Sequence, residues 1–168
     1  MAASRRTRHL PDPVPHPDDP GDDGWHVEGS FPDGAGYRLN LRSRGRALLM
    51  LFLFSDIGPH DAPTRIRAGS HLDIPPLLAP SGDDSVEFFE FARRAVPATA
   101  NRPVATATGA AGDVYLYHPF LVHAAQRHRG HQPKFMAQPP LEPVGELELE
   151  RPDPSPVERA VCRGLDMA

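Results

Sequence analysis

The chain has 168 residues and a formal net charge of −4, which suits one domain with a real core and gives no electrostatic basis for nucleic-acid binding. Its longest apolar run, ALLMLFLF at 47–54, is of strand length and well short of the roughly 20 residues a membrane helix needs. The single cysteine, Cys162, excludes a disulfide within the chain and fits a reducing, cytoplasmic setting.

The start, MAASRRTRHL, is basic but has no apolar stretch, so it is not a secretory signal. PDPVPHPDDPGDD follows, and residues 1–23 read as a disordered leader. A domain over 24–142 and an acidic, proline-rich tail over 143–168 complete the division. Residues 25–30 predict a short strand. YRLNLRS (37–43) alternates apolar and polar residues, the mark of a half-buried strand, and SRGR (43–46) is a turn. ALLMLFLFS (47–55) predicts a core strand and DIGPHDAP (56–63) a loop. TRIRAGSH (64–71) alternates again and ends in a glycine turn. DDSVEFFEFARRAV (83–96) predicts a helix with an acidic first turn, Arg93 and Arg94 in its last turn, and Pro97 as its stop. VATATG (104–109), DVYLYHPFLVHAA (113–125, broken at Pro119) and KFMAQPPLE (134–142) predict further strands. SPVERAVCRGL opens with a capping box, Ser155 to Glu158, and has Pro156 at the first helical position. Strands at close spacing with one inserted helix and a short C-terminal helix predict an all-β sandwich or barrel, a jelly-roll or cupin-like double-stranded β-helix among the options.

Beyond the leader, two histidine–carboxylate pairs occur at i and i+2: His26 with Glu28, and His71 with Asp73. Residues two apart project from one face of a strand and can grip one ion. A second histidine from a neighbouring strand would complete a two-histidine, one-carboxylate set with three positions open, the arrangement of oxygen-activating iron sites. On a jelly roll the second and seventh strands are neighbours. Three to four predicted strands separate His26 from His123, whereas mainly one helix and one strand separate His71 from His123. The first pair fits that geometry better, and His71 is expected to cap a loop or line a pocket. His118 and Tyr117, beside Pro119, are expected to be structural, and His128 and His131 to be solvated.

APTRIRAGSHLDIPPLLAP (62–80) together with GDVYLYHPFLVHAAQRHRG (112–130) resembles the phytanoyl-CoA dioxygenase family of Fe(II)/2-oxoglutarate oxygenases. The resemblance runs from about residue 24 to 141. It implies a double-stranded β-helix with Fe(II) on His26, Glu28 and His123, 2-oxoglutarate and O2 as co-substrates, and a small organic molecule to be hydroxylated. It also implies that the glycine–serine–histidine element is not the metal site. The family carries an arginine about ten residues after the distal histidine to clamp the far carboxylate of 2-oxoglutarate. That count reaches Lys134 here, with Arg127 and Arg129 as rivals in the preceding loop. Lysine offers a point charge in place of a two-pronged fork. Glu28 stands where aspartate is commoner. Related halogenating enzymes carry a small residue at that position, so Glu28 implies hydroxylation. Members usually have a longer helical N-terminal region, so the chain reads as a shortened member or as a fragment with a wrongly chosen start. The alternatives are a non-catalytic β-helix binding domain, and a cupin-type metal enzyme that does not use 2-oxoglutarate.

Overall fold

A computed structural model describes residues 24–34, 36–44, 46–141 and 143–167; the expected leader lies outside them. Strands dominate, in small antiparallel sheets, with three α-helices among the described residues. Strands β1 (Ser30–Asp33) and β2 (Gly36–Leu39) form a hairpin whose second strand also pairs with β5 (Val86–Glu87). The apolar run becomes β3 (Leu48–Leu53). It pairs on one edge with β7 (Val114–Tyr117) and on the other with β9 (Met136–Ala137) and β10 (Pro140–Leu141). Leu49, Leu51 and Leu53 are buried, while Leu48, Met50 and Phe52 are only partly covered. The run is apolar throughout, yet it buries one face more deeply than the other, as an antiparallel strand with one face on a core does.

A third sheet holds β4 (Arg65–Arg67) between β6 (Val104–Thr106) and β8 (His123–Ala124). The segment at His26 extends this sheet past β8 through one antiparallel bridge to His123. The expected strand at 25–30 is therefore that single bridge, followed by β1 from Ser30.

The helices depart from expectation in two places. Helix α1 (Ile74–Leu78), followed by a turn of 3-10 helix over Ala79–Ser81, occupies a stretch for which no helix was expected. Pro75 and Pro76 sit in its first turn, where a missing N–H removes no intrahelical bond. Helix α2 runs Phe88–Ala98, not 83–96. Val86 is drawn into pairing with Leu39, and Glu87 becomes the N-cap, its carboxylate accepting from the Glu90 N–H at 2.7 Å. Pro97 lies inside the last turn instead of stopping the helix, and Arg93 and Arg94 are mid-helix. Helix α3 (Pro156–Gly164) has the expected capping box, with the Glu158 N–H on Ser155 Oγ at 3.3 Å and the Ser155 N–H on Glu158 Oε2 at 2.6 Å.

Two clusters make the core. Val27, Val122, Phe120, Phe91, Ile74 and Val161 belong to the first, which gathers the three helices. Leu49, Leu51, Ile66, Tyr117 and Leu121 belong to the second, between β3–β7 and the β4–β8 pair. Each fully buried aliphatic or aromatic side chain contributes roughly 1.5–3 kcal/mol. None of the helices described is long and apolar enough to cross a membrane.

Candidate metal centre

The alternation of a strand decides what the third sheet presents on each face. Val27 and Val122 bury into the helical core. Their neighbours His26, Glu28 and His123 must therefore point the other way. His26 and His123 lie directly opposite each other, each backbone N–H donating to the other's carbonyl at 3.0 Å. Their rings come within 4.5 Å, centroid to centroid. Glu28, two residues on, brings Oε1 to 3.5 Å from His26 Nε2. One ligand atom from each of the three lies within 4.8 Å of the others.

The second ring nitrogens are spoken for. His123 Nδ1 donates to the Leu121 carbonyl at 3.0 Å, and His26 Nδ1 to the Gly24 carbonyl. That tautomer leaves Nε2 of each ring as a lone-pair donor, the usual way a protein prepares histidine for a metal. The other oxygen of Glu28 is held by Arg46 Nη2 at 3.2 Å. Arg46 is presented by the 43–46 turn, where Ser43 takes a positive φ of 46° and donates its hydroxyl to the Arg46 carbonyl at 2.8 Å.

Burial alone would lower the pKa of His26. The hydrogen bond with Glu28, the Gly24 carbonyl and the Glu28 charge outweigh it and hold the group above its ordinary value. Glu28 is held below the usual carboxylate range by that same hydrogen bond, against burial and with help from Arg46. His123 is only 4% exposed, and burial, then the charge of His26, pushes it down to about 4. Burial favours the uncharged form of His123, and the contact with Glu28 favours a proton between His26 and Glu28. A divalent cation takes the place of such a proton, and two imidazoles with one carboxylate are a donor set that iron accepts.

Beside the three residues opens a cavity of about 890 Å3, bounded by Trp25, His26 and Glu28 on one side and by α2 on the other. Trp25 is fixed from behind by two cations of β4. The Arg65 and Arg67 guanidinium carbons lie 4.7 and 4.3 Å from its ring centroid. Arg67 also donates to the Val96 carbonyl and, at 2.8 Å, to Thr99 Oγ1, so it ties the end of α2 to the same wall.

The second histidine–carboxylate pair is used otherwise. His71 packs its ring 5.1 Å from that of His118, and Asp73 receives two hydrogen bonds from Arg102, at 2.7 and 2.6 Å. Ser70, fully buried, accepts the Val122 N–H at 2.8 Å. The Gly69 φ of 84° makes the turn that puts it there. Lys134 is not brought to the cavity lining. Its ammonium donates to the Ala62 carbonyl at 2.6 Å, just ahead of β9, and burial lowers its pKa. Arg127 and Arg129 lie in the loop after β8. Sequence reasoning missed Arg46, for which the chain carries no signal. Among the described residues the Tyr117 hydroxyl is buried without a hydrogen-bond partner, its ring 6.1 Å from that of His123.

The fold and the donor set together define a strand-rich protein with a candidate centre for one divalent metal ion. The model of the phytanoyl-CoA dioxygenase (PhyH) family matches residues 3–136, and the chain belongs to that family. Its chemistry is accordingly of the oxygenase type. Searches of the curated proteins and of the solved structures find no match to this chain.

Proposed function

We propose that the protein is an Fe(II)- and 2-oxoglutarate-dependent oxygenase that hydroxylates a small organic molecule, with the metal on His26, Glu28 and His123. One observation carries the reading: two imidazole Nε2 atoms and one carboxylate oxygen converge, and each ring's Nδ1 is tied to a backbone carbonyl. Such a set leaves three positions of an octahedron open, enough for a bidentate co-substrate and oxygen. When bound, the iron and 2-oxoglutarate supply oxidative decarboxylation to succinate and CO2 together with hydroxylation of the substrate.

The chain's own share is positioning. Arg46 holds Glu28 so that one oxygen faces the histidines. Trp25 and α2 wall the cavity in which a substrate would lie and from which water would be displaced. Lys134 is the proposed partner of the far carboxylate of 2-oxoglutarate. In support, it is half-buried and has no carboxylate partner among the described residues, so an anion would supply its missing counter-charge. The layered antiparallel strands suit a double-stranded β-helix, with β3–β7 facing the β4–β8 sheet across the second core cluster.

The test is anaerobic titration of the full chain with Fe(II) and 2-oxoglutarate. A weak visible charge-transfer band appears if the co-substrate chelates the metal, and succinate forms on admitting air. His26→Ala or His123→Ala abolishes stoichiometric Fe(II) binding, while His71→Ala and Asp73→Ala leave it nearly intact. Loss of metal in the second pair of variants and not the first would overturn the assignment. Metal binding without succinate would leave a binding domain only.

A further inference from the structure

The cavity beside the three residues is built unevenly. Helix α2 turns Phe91 and Ala95 into the core and gives the cavity Phe88, Phe89, Ala92, Arg93 and Val96. Phe88 stands at the metal end, its ring 6.0 Å from that of His26 and edge-on to Phe89. Phe89 is 68% exposed, a large apolar surface left open at the rim. Arg93 lies five residues further along the helix, roughly 7–8 Å from Phe88 at helical rise. It is the one arginine or lysine lining the cavity among the described residues; its charge acts on the Glu87 carboxylate at the helix start, and no hydrogen bond or close ion pair holds it among them. The next arginine, Arg94, is occupied by the Leu77 carbonyl at 3.0 Å. The lining acid, Glu28, is already shared between His26 and Arg46.

We infer that the cavity takes a compact amphipathic carboxylate, its apolar body against Trp25, Phe88, Phe89 and Ala92 and its carboxylate on Arg93. The inference rests on the oxygenase reading for the role of that carboxylate as substrate, though not for its binding. An apolar bed supplies affinity without direction, and a guanidinium at one end supplies the direction. The metal end then faces carbons remote from the carboxylate. One cation is too few for a coenzyme A thioester, whose several phosphate charges need a cradle of basic groups. This lining suits the free acid better than the thioester.

Trp25, the chain's only tryptophan, lines the cavity and reports occupancy by its fluorescence without any turnover. The probes are octanoate, octanamide and octanoyl-CoA, titrated into the full chain with and without Fe(II) and 2-oxoglutarate in the absence of oxygen. Octanoate is expected to shift the emission saturably and to bind roughly five- to ten-fold more tightly than octanamide, the scale of one charge-assisted pair near solvent. Arg93→Gln is expected to bring octanoate to the level of the amide and leave octanamide unchanged, and Arg93→Lys to keep part of the preference. Equal binding of acid and amide overturns the inference, as does octanoyl-CoA binding more tightly than octanoate. A preference that survives Arg93→Gln overturns it too, because the carboxylate is then held by the metal. The visible band in the same samples separates the two conclusions. Its absence defeats the oxygenase reading, whereas the charge preference and its dependence on Arg93 decide this one.

Discussion

Gly29→Ala adds one methyl to the residue that follows Glu28. A Cβ there would lie 2.7 and 2.8 Å from two carbons of the Phe120 ring, where ordinary contact begins at 3.4 Å. About 0.7 Å must be found by moving something. Phe120 is fully buried in the helical core and cannot swing into water. The Gly29 φ is not in the left-handed region, so the cost is packing alone. Overpacking of this kind costs roughly 1–3 kcal/mol, a sizeable part of a total stability of about 5–15 kcal/mol. For a chain of this size it lowers Tm by roughly 2–4 °C per kcal/mol. Both ends of the clash belong to the candidate centre, since Gly29 follows Glu28 and Phe120 precedes His123 by three residues. Fe(II) affinity is therefore expected to fall with stability. The assay is urea unfolding and Fe(II) titration of Gly29→Ala, Phe120→Leu and the double variant. Phe120→Leu alone leaves a cavity and costs on the order of 1–2 kcal/mol. In the double variant the methyl fills part of that cavity. The combined loss is then expected to fall short of the sum by more than about 0.5 kcal/mol, with metal affinity partly regained. Simple additivity would refute the claim that this contact is why position 29 is glycine.

Lys134→Ala is expected to weaken 2-oxoglutarate binding by roughly ten-fold or more, read from the visible band, because a charge-assisted bond of about 1.5–3 kcal/mol is lost; unchanged affinity moves the clamp to Arg127 or Arg129. Tyr117→Phe removes a buried hydroxyl that has no hydrogen-bond partner among the described residues and is expected to raise the stability of the ligand-free protein by about 1 kcal/mol in thermal melts; a loss of stability would show that the hydroxyl is satisfied. His118 is pushed down to about 4 by burial, against the bond to the Val157 carbonyl and with help from the charge of His71, so the unfolded chain takes up that proton first. Its contribution to stability is full above the ordinary value of 6.5 and is lost as pH falls from there through about 4. Urea midpoints of the metal-free protein should drop across that window, and His118→Gln should flatten the drop.

What the sequence made legible was what local pattern controls. The alternation in 64–67, the apolar run at 48–53 and the capping box of α3 each depend on residues a few positions apart, and each appears as an element. The bridge does set His26 beside His123, although seven described strands separate them along the chain where three to four were expected. Two elements were hidden by tertiary pairing. Val86 looks helical until Leu39 claims it for a strand, and Pro75–Pro76 reads as loop until the first turn of α1 absorbs both rings. The supports of the centre were hidden more deeply. Ser70 meets Val122 across 52 positions, and nothing local marks Arg46 as the partner of Glu28.

Those hidden contacts give the glycine–serine–histidine element its physical meaning. A strand residue turns its N–H and carbonyl to one side, and the next residue turns them to the other. The Val122 N–H is taken by Ser70 Oγ at 2.8 Å, and its carbonyl by the Arg67 N–H at 2.9 Å. Val122 is thus saturated from the β4 side. That leaves the N–H and carbonyl of His123 facing away from β4, where His26 takes both. The Leu121 carbonyl, one residue before Val122, then fixes the His123 ring. The element at 69–71 therefore supports the candidate centre without touching it: its serine, together with β4, holds the residue before His123. The His71 ring packs on His118 and is not brought to that open side. Once Ser70 holds Val122, the partner that β8 offers on its open side is the segment of His26 and Glu28.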